Sequence, residues 1–205
     1  MKPTFENLPE EKRLRIIRAC IDEFGERGYD AGSVDGIIKR AGISKGGLYE
    51  YVTSKEELFL YIAEYTYGRL YDYLRDRIQT ESAGLPKDLL ERLRHVSELA
   101  VDFYLEHPEF IYFIVRTYNL PDERLDAQIK STFTSNFLDL FGDIGADRLR
   151  FPKERILELA MWLLLKTRYD FLTEIRTEGD TAVIKRDYMQ NWDFYLSVLR
   201  NGIYG

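Results

Sequence analysis

The sequence predicts an all-α protein: an N-terminal three-helix unit over residues 1–53 and a helical body over 54–205, about nine helices in total. Three observations predict it. Apolar residues recur at helical spacing through every long segment, no stretch shows the two-residue alternation of a half-buried strand, and glycine- or proline-bearing breaks separate the helical stretches. With 45% hydrophobic residues and only 6 prolines in 205, the chain can bury a core and does not read as disordered.

Taken in order, Met1 to Leu8 reads as a loose arm. Pro9 suits a first helical position, with Glu10 and Glu11 favourable to the helix N-terminus. Leu14, Ile17, Cys20 (or Ile21) and Phe24 give helix one an apolar stripe, and Gly25 and Gly28 are expected to close it. Ser33 can cap the next helix, whose apolar face is Val34, Ile37, Ile38 and Ala41. Gly42 supplies a turn, Ile43 is expected to be buried behind it, and Ser44 caps another short helix. Leu48 and Tyr51 would hold that helix inward, leaving Lys45, Gly46, Gly47, Tyr49 and Glu50 outward. Ser33 to Leu58 therefore reads as a helix-turn-helix, an element whose second helix fits the DNA major groove.

Thr53 or Ser54 caps helix four, expected over 54–79 with Leu58, Ile62, Leu70, Leu74 and Ile78 on its buried side. At about 1.5 Å per residue it is roughly 35–40 Å long and connects the two domains. Residues 80–86 read as a linker. Helix five carries Leu89, Leu93, Val96, Ala100 and Phe103 and breaks at His107-Pro108. Helix six covers about 109–118 and helix seven about 123–141, with a loop over 142–152. Helix eight, about 152–176, is apolar all round from Leu159 to Leu165, and a helix apolar on every side must be covered on every side. Helix nine, about 181–201, aligns Ile184, Tyr188, Trp192, Tyr195 and Leu199. These two helices are expected to form a homodimer interface through Met161, Leu164, Leu165, Tyr188, Trp192, Tyr195 and Leu199. A monomer with a central buried helix is the alternative.

Net charge is −6, yet the first fifty residues hold nine Lys/Arg and nine Asp/Glu, so the remainder, with 20 and 26, carries the whole excess. A neutral N-terminal unit on an acidic body suits specific phosphate contact and disfavours indiscriminate coating of nucleic acid. The single cysteine, Cys20, lies on an apolar face and reads as a buried structural thiol. The two histidines, His95 and His107, have no metal-ligand spacing, and there is no glycine-rich phosphate loop. No catalytic residue, metal or cofactor is therefore expected. No apolar stretch is long enough to span a membrane, and a soluble cytoplasmic protein is expected.

The stretch Ile16 to Leu58, IIRACIDEFGERGYDAGSVDGIIKRAGISKGGLYEYVTSKEEL, resembles the TetR/AcrR family of bacterial and archaeal transcriptional regulators. The resemblance covers roughly the first quarter of the chain. Ile38 departs from the family's usual Ala, Gly47 from Thr or Ser, and Val52 from Phe. Gly46-Gly47 also costs helix propensity, about 1 kcal/mol per glycine relative to Ala.

The resemblance implies phosphate contacts from Ser33, Ser44, Tyr49 and Lys55, with Lys45 and the Gly46-Gly47 backbone facing the groove of an operator duplex. Lys45 can donate to guanine O6 and N7 or merely to phosphate, and Glu50 reads as a solvated helix-end charge. It further implies a small apolar or aromatic effector lined by Tyr65, Phe103, Phe110, Phe113, Phe133, Phe137, Trp162 and Tyr169, with Arg116 and Arg168 as anchors for an anionic group. For any single aromatic the core reading is the favoured one, and Arg168 reads equally as an ion-pair partner of Asp170 or Glu174. The implied function is a homodimeric, sequence-specific repressor released from a pseudo-palindromic operator by its effector. The alternative is a DNA-binding protein with no small-molecule effector, acting architecturally or through a protein partner.

Overall fold

The structure, a computed structural model, describes residues 1–81, 84–118, 120–145, 147–177 and 179–203. These residues form ten helices and no β-strand: α1 (Pro3–Glu6), α2 (Glu10–Ala31), α3 (Val34–Ala41), α4 (Lys45–Tyr49), α5 (Lys55–Thr80), α6 (Leu89–Glu106), α7 (Pro108–Arg116), α8 (Glu123–Phe141), α9 (Lys153–Thr177) and α10 (Thr181–Ile203). The all-helical expectation holds. Residues 82 and 83 of the expected linker and 146 of the expected loop lie outside the described residues.

Three local expectations are corrected. The N-terminal arm is not loose: it forms α1, and Phe5 is fully buried against Tyr51 and Tyr61. Helix one does not close at Gly25. The regular helix runs on to Gly28 and breaks there as expected, with a φ of 73° in the left-handed region open to glycine, and a last turn carries α2 to Ala31. Gly25 serves instead as a point of close approach, since a Cβ there would lie 3.3 Å from the Phe113 nitrogen of α7. The break frees carbonyls of α2, and Arg116 Nε and Nη2 donate to Gly25 O and Glu26 O, each at 3.2 Å. Ile43 is half-buried, not buried.

The chain packs as two compact units, with the divisions falling inside α5, before α7 and inside α8. The first comprises residues 1–69 and 108–133. Its core joins Ile16, Ile17, Cys20 and Phe24 of α2 to Ile37, Leu48, Leu58, Phe59, Ile62, Ile111, Phe113 and Ile114. Phe59 is central, with ring centroids 5.0 Å from Phe24, 5.0 Å from Tyr29 and 5.4 Å from Phe113. Burying each such side chain contributes about 1.5–3 kcal/mol. The hydroxyls of Tyr67 and Thr117, both buried, satisfy one another at 2.9 Å.

The second unit comprises residues 70–107 and 134–205, described as far as 203. Asp88 Oδ1 caps α6 by accepting from Leu90 N and Glu91 N at 3.0 Å each. Leu93, Val96, Ala100 and Tyr104 of α6 share a core with Leu163, Leu164 and Phe171 of α9 and Ile184, Tyr188, Trp192 and Leu196 of α10. Phe171 lies 5.9 Å from Tyr104 and 5.4 Å from Tyr188, binding the three helices at one level. Arg92, only 3% exposed, is satisfied by Pro86 O, Leu140 O and the Asp143 carboxylate.

Candidate nucleic-acid interface

The two short helices α3 and α4 are fixed at their ends. Ser33 has extended backbone, and its Oγ accepts from the Gly36 N–H at 3.0 Å. Gly42 turns the chain with φ 62° and ψ 39°, a conformation strained for any residue with a Cβ. Ser44 then caps α4 by accepting from the Gly47 N–H at 3.1 Å. Leu48 and Tyr51 point inward and are buried, while Ser44, Lys45, Gly46, Tyr49 and Glu50 are exposed. The outward set is the one the sequence pattern implies, apart from Gly47, which is half-buried beneath its capping serine.

What ties α3 to α2 is Glu23, a residue that sequence reasoning missed. It is 1% exposed, yet ionic: its carboxylate accepts from Ser33 N at 3.1 Å and Ser33 Oγ at 3.3 Å, and pairs with Arg40 Nε at 3.1 Å and Arg27 Nε at 3.6 Å. Burial alone would raise its pKa, but the Ser33 N–H, Arg27, Arg40 and the Ser33 hydroxyl together hold it below the usual carboxylate range. Both ends of α3 thus rest on one side chain of α2. Gly36 is glycine for the same reason, because a Cβ there would run into that carboxylate. The available signal was an acidic residue within the apolar stripe of helix one, four residues before an arginine.

Of the residues expected to contact phosphate, Ser44 and Tyr49 are exposed, whereas Ser33 and Lys55 are engaged within the unit. Lys55 Nζ donates to Asp30 O at 3.3 Å and Gly32 O at 3.1 Å, and stands 4.5 Å from the Tyr29 ring centroid. It closes the C-terminal end of α2. Lys45 Nζ lies 3.1 Å from Asp35 Oδ1. The hydrogen bond and charge of Asp35 raise the lysine's pKa, but both side chains are mostly exposed, so the pair holds weakly and can open to a phosphate. Lys39 adds exposed positive charge on α3, while Arg40 is paired with Glu26 as well as Glu23.

The residues expected to line an effector site divide between the units. In the first, Tyr65 stacks on Phe110 at 6.4 Å, Phe113 packs on Phe59, Phe133 lies 6.1 Å from Tyr67, and Arg116 caps α2. In the second, Phe103 lies 5.3 Å from Tyr73, Phe137 stacks on Phe141 at 4.6 Å, and Arg168 is buried. Asp170, one of its expected partners, pairs with Lys166. Trp162 and Tyr169 are 59% and 60% exposed. A cavity of about 430 Å³ opens beside Arg92 in the second unit and one of about 580 Å³ beside Arg18 in the first. None of the ten residues lines either.

The expected interface residues are likewise redistributed. Leu164, Tyr188 and Trp192 are buried within the chain, whereas Met161, Leu165, Tyr195 and Leu199 are half-buried. The open apolar side chains of α9 and α10 are Leu159, Trp162, Tyr169, Phe194 and Val198. Phe194 and Val198 were not anticipated, although they continue the aromatic and aliphatic run around Tyr195 and Leu199.

Capped α3, a left-handed glycine turn and a capped α4 presenting polar groups outward define a helix-turn-helix DNA-binding domain. Residues 16–62, which include α3 and α4, match the family model "Bacterial regulatory proteins, tetR family". It is 32% identical over 122 residues to the HTH-type transcriptional activator FasR of Mycolicibacterium smegmatis, a match covering 59% of this chain and 53% of that one. The chain spans about half the length of the curated relatives it matches, which are named as transcriptional regulators and not as enzymes. In fold it is similar to a TetR family regulator from Chloroflexus aurantiacus, with a TM-score of 0.71, 24% identity, and coverage of 100% of this chain and 98% of that one. It is also similar to the regulator FadR of Bacillus subtilis, solved in complex with stearoyl-CoA, with a TM-score of 0.66, 16% identity, and coverage of 87% and 96%. Among the described residues, no helix is long and apolar enough to cross a membrane.

Proposed function

We propose that the chain is a homodimeric, sequence-specific transcriptional regulator acting in the cytoplasm, with residues 1–53 reading DNA and 54–205 dimerising and sensing an effector. In this reading it is a repressor, released from a pseudo-palindromic operator. The observation that carries the proposal is α4: a short helix with its polar side outward, held inward by Leu48 and Tyr51. A five-residue helix offers too few contacts for tight binding alone, so two copies set about 34 Å apart must supply the affinity. The open side chains Trp162, Tyr169, Phe194 and Val198 support α9 and α10 as the paired surface, because large apolar groups left in water favour association.

The test is selection of duplexes from a random-sequence pool, with sedimentation of the free protein. Enrichment of a two-fold-related site by a dimer is the expected result; enrichment of no sequence would sink the reading. Trp162→Asp should yield a folded monomer that binds the same duplex at least about tenfold more weakly.

The effector is read as a small apolar molecule, and the stearoyl-CoA complex of the structurally similar FadR makes a long-chain acyl-CoA the first to try. It would act by favouring the DNA-incompetent form of the dimer. A second reading, regulation without a small molecule, is favoured by the close packing of Phe113, Phe133 and Phe137 against neighbouring rings. A concentration-dependent rise in melting temperature with stearoyl-CoA, together with loss of the selected duplex, decides for the first reading. No rise with that ligand or with a library of apolar compounds decides for the second.

A further inference from the structure

We propose that Lys2, Thr4 and Phe5 are positioning residues for the recognition helix: the first two supply the donors that the C-terminus of α4 lacks, and Phe5 fastens them to α5. The proposal rests on the DNA-binding reading above and adds the device that holds the reading helix in place.

The need arises from the sequence of α4. Lys45–Tyr49 is one and a half turns long and contains two adjacent glycines, so neither length nor propensity sustains it. Its N-terminus is closed by Ser44, but every helix also ends in carbonyls without intrahelical donors. A left-handed glycine commonly supplies that closure; here the C-cap is Glu50, in right-handed helical backbone with φ −66° and ψ −25°.

The arm closes it from outside. Three consecutive carbonyls each receive one donor: Tyr49 O from Lys2 Nζ at 2.8 Å, Glu50 O from Thr4 Oγ1 at 3.1 Å, and Tyr51 O from Lys2 N at 2.8 Å. The Lys2 ammonium also stands at the negative end of the helix. Phe5, with no exposed surface, sets its ring edge-on to Tyr51 at 5.9 Å and to Tyr61 of α5 at 5.4 Å. Tyr61 OH donates to Glu6 Oε1 at 3.0 Å, and Glu6 Oε2 pairs with Arg13 Nη1 of α2, also at 3.0 Å. Burial, with Glu6 beside it, pushes the Tyr61 phenol up to about 12, so it remains a donor at ordinary pH. The arm is thereby fixed to α2 and α5 while its polar atoms serve α4. Shifting α5 relative to α2 would move the arm, and with it the closure of the recognition helix.

The test uses the full chain and a duplex that the wild type selects from a random-sequence pool. Lys2→Met with Thr4→Val removes two donors while keeping most of the side-chain bulk. The double variant should bind that duplex about tenfold more weakly. Its Glu50, Tyr51 and Val52 amides should exchange with solvent at least about fivefold faster, while amides of α9 and α10 keep their rates. Lys2→Arg, which retains a donor, should restore most of both. Phe5→Leu should give an intermediate loss, whereas Phe5→Ala tests the anchor at greater risk to folding. Unchanged exchange at Glu50, Tyr51 and Val52, or equal acceleration in every helix, would overturn the proposal. So would a fall of about one per protomer in the slope of log affinity on log salt for Lys2→Met, because that marks Lys2 as a phosphate ligand instead. If the wild type selects no duplex, the DNA reading fails, and the exchange comparison still decides whether the arm holds α4.

Discussion

Arg40 Nε lies 3.1 Å from Glu23 Oε2, tying the last turn of α3 to the middle of α2 through a carboxylate that is 1% exposed. Because the other oxygen of Glu23 receives the Ser33 N–H at the start of α3, one side chain fixes the whole helix that supports α4. Glu23→Gln removes the charge from this cluster and leaves an amide N–H₂ facing guanidinium groups. It should cost about 1.5–3 kcal/mol, read from the denaturant midpoint at neutral pH. Affinity for a selected duplex should fall as well.

The same carboxylate sets a pH dependence. Its folded pKa lies below the ordinary 4.5, so its stabilisation is fully present above about 4.5 and is lost as pH falls through the depressed folded value. Wild-type stability should therefore decline below that pH more steeply than that of Glu23→Gln. Parallel curves for the two proteins would show that Glu23 does not carry the effect.

Gly36→Ala places a methyl against the Glu23 carboxylate and should destabilise by about 1–3 kcal/mol, the usual range for overpacking. Glu23→Ala clears that space. In its background the added cost of Gly36→Ala should largely vanish, so a double-mutant cycle should be clearly non-additive.

Gly46→Ala behaves oppositely, since a Cβ there meets open space. It should stabilise by about 0.5–1 kcal/mol through helix propensity alone, visible as a higher melting temperature. Gly47→Ala should gain less, because its Cβ would lie 3.1 Å from the Ser44 hydroxyl that caps the helix.

Cys20 has no exposed surface, and burial with the nearby charge of Asp22 raises its thiol pKa. A colourimetric thiol reagent should find no fast-reacting thiol in the native chain and one after denaturation. Fast stoichiometric labelling of the native protein would contradict the packing of α2.

Much of this molecule is legible as periodic pattern. The apolar stripes predict the nine principal helices, because burying one helical face imposes a recurrence that survives in a single sequence. Ser33, Gly42 and Ser44 are legible too, since caps and left-handed turns select particular residue types through local geometry. Local rules also mislead where a neighbour intervenes: Gly25 reads as a helix end, but it is retained within α2 because α7 passes against it. The aromatics were the least legible. Trp162 sits in a run apolar on every side and Trp192 beside Asn191 and Asp193, yet the first is 59% exposed and the second fully buried.

By itself, then, the sequence determined the all-helical class, the order of the helices, the helix-turn-helix and the outward set on α4, all of which depend on residues close together in the chain. Tertiary structure decided the rest. It placed Lys55 on the end of α2, made Glu23 the tie beneath α3, and brought Lys2 and Thr4 to the carbonyls of Tyr49, Glu50 and Tyr51 across more than forty residues of sequence. A carbonyl without a donor can be satisfied by any nearby N–H or O–H, so its need is local but its partner is chosen only when the chain folds.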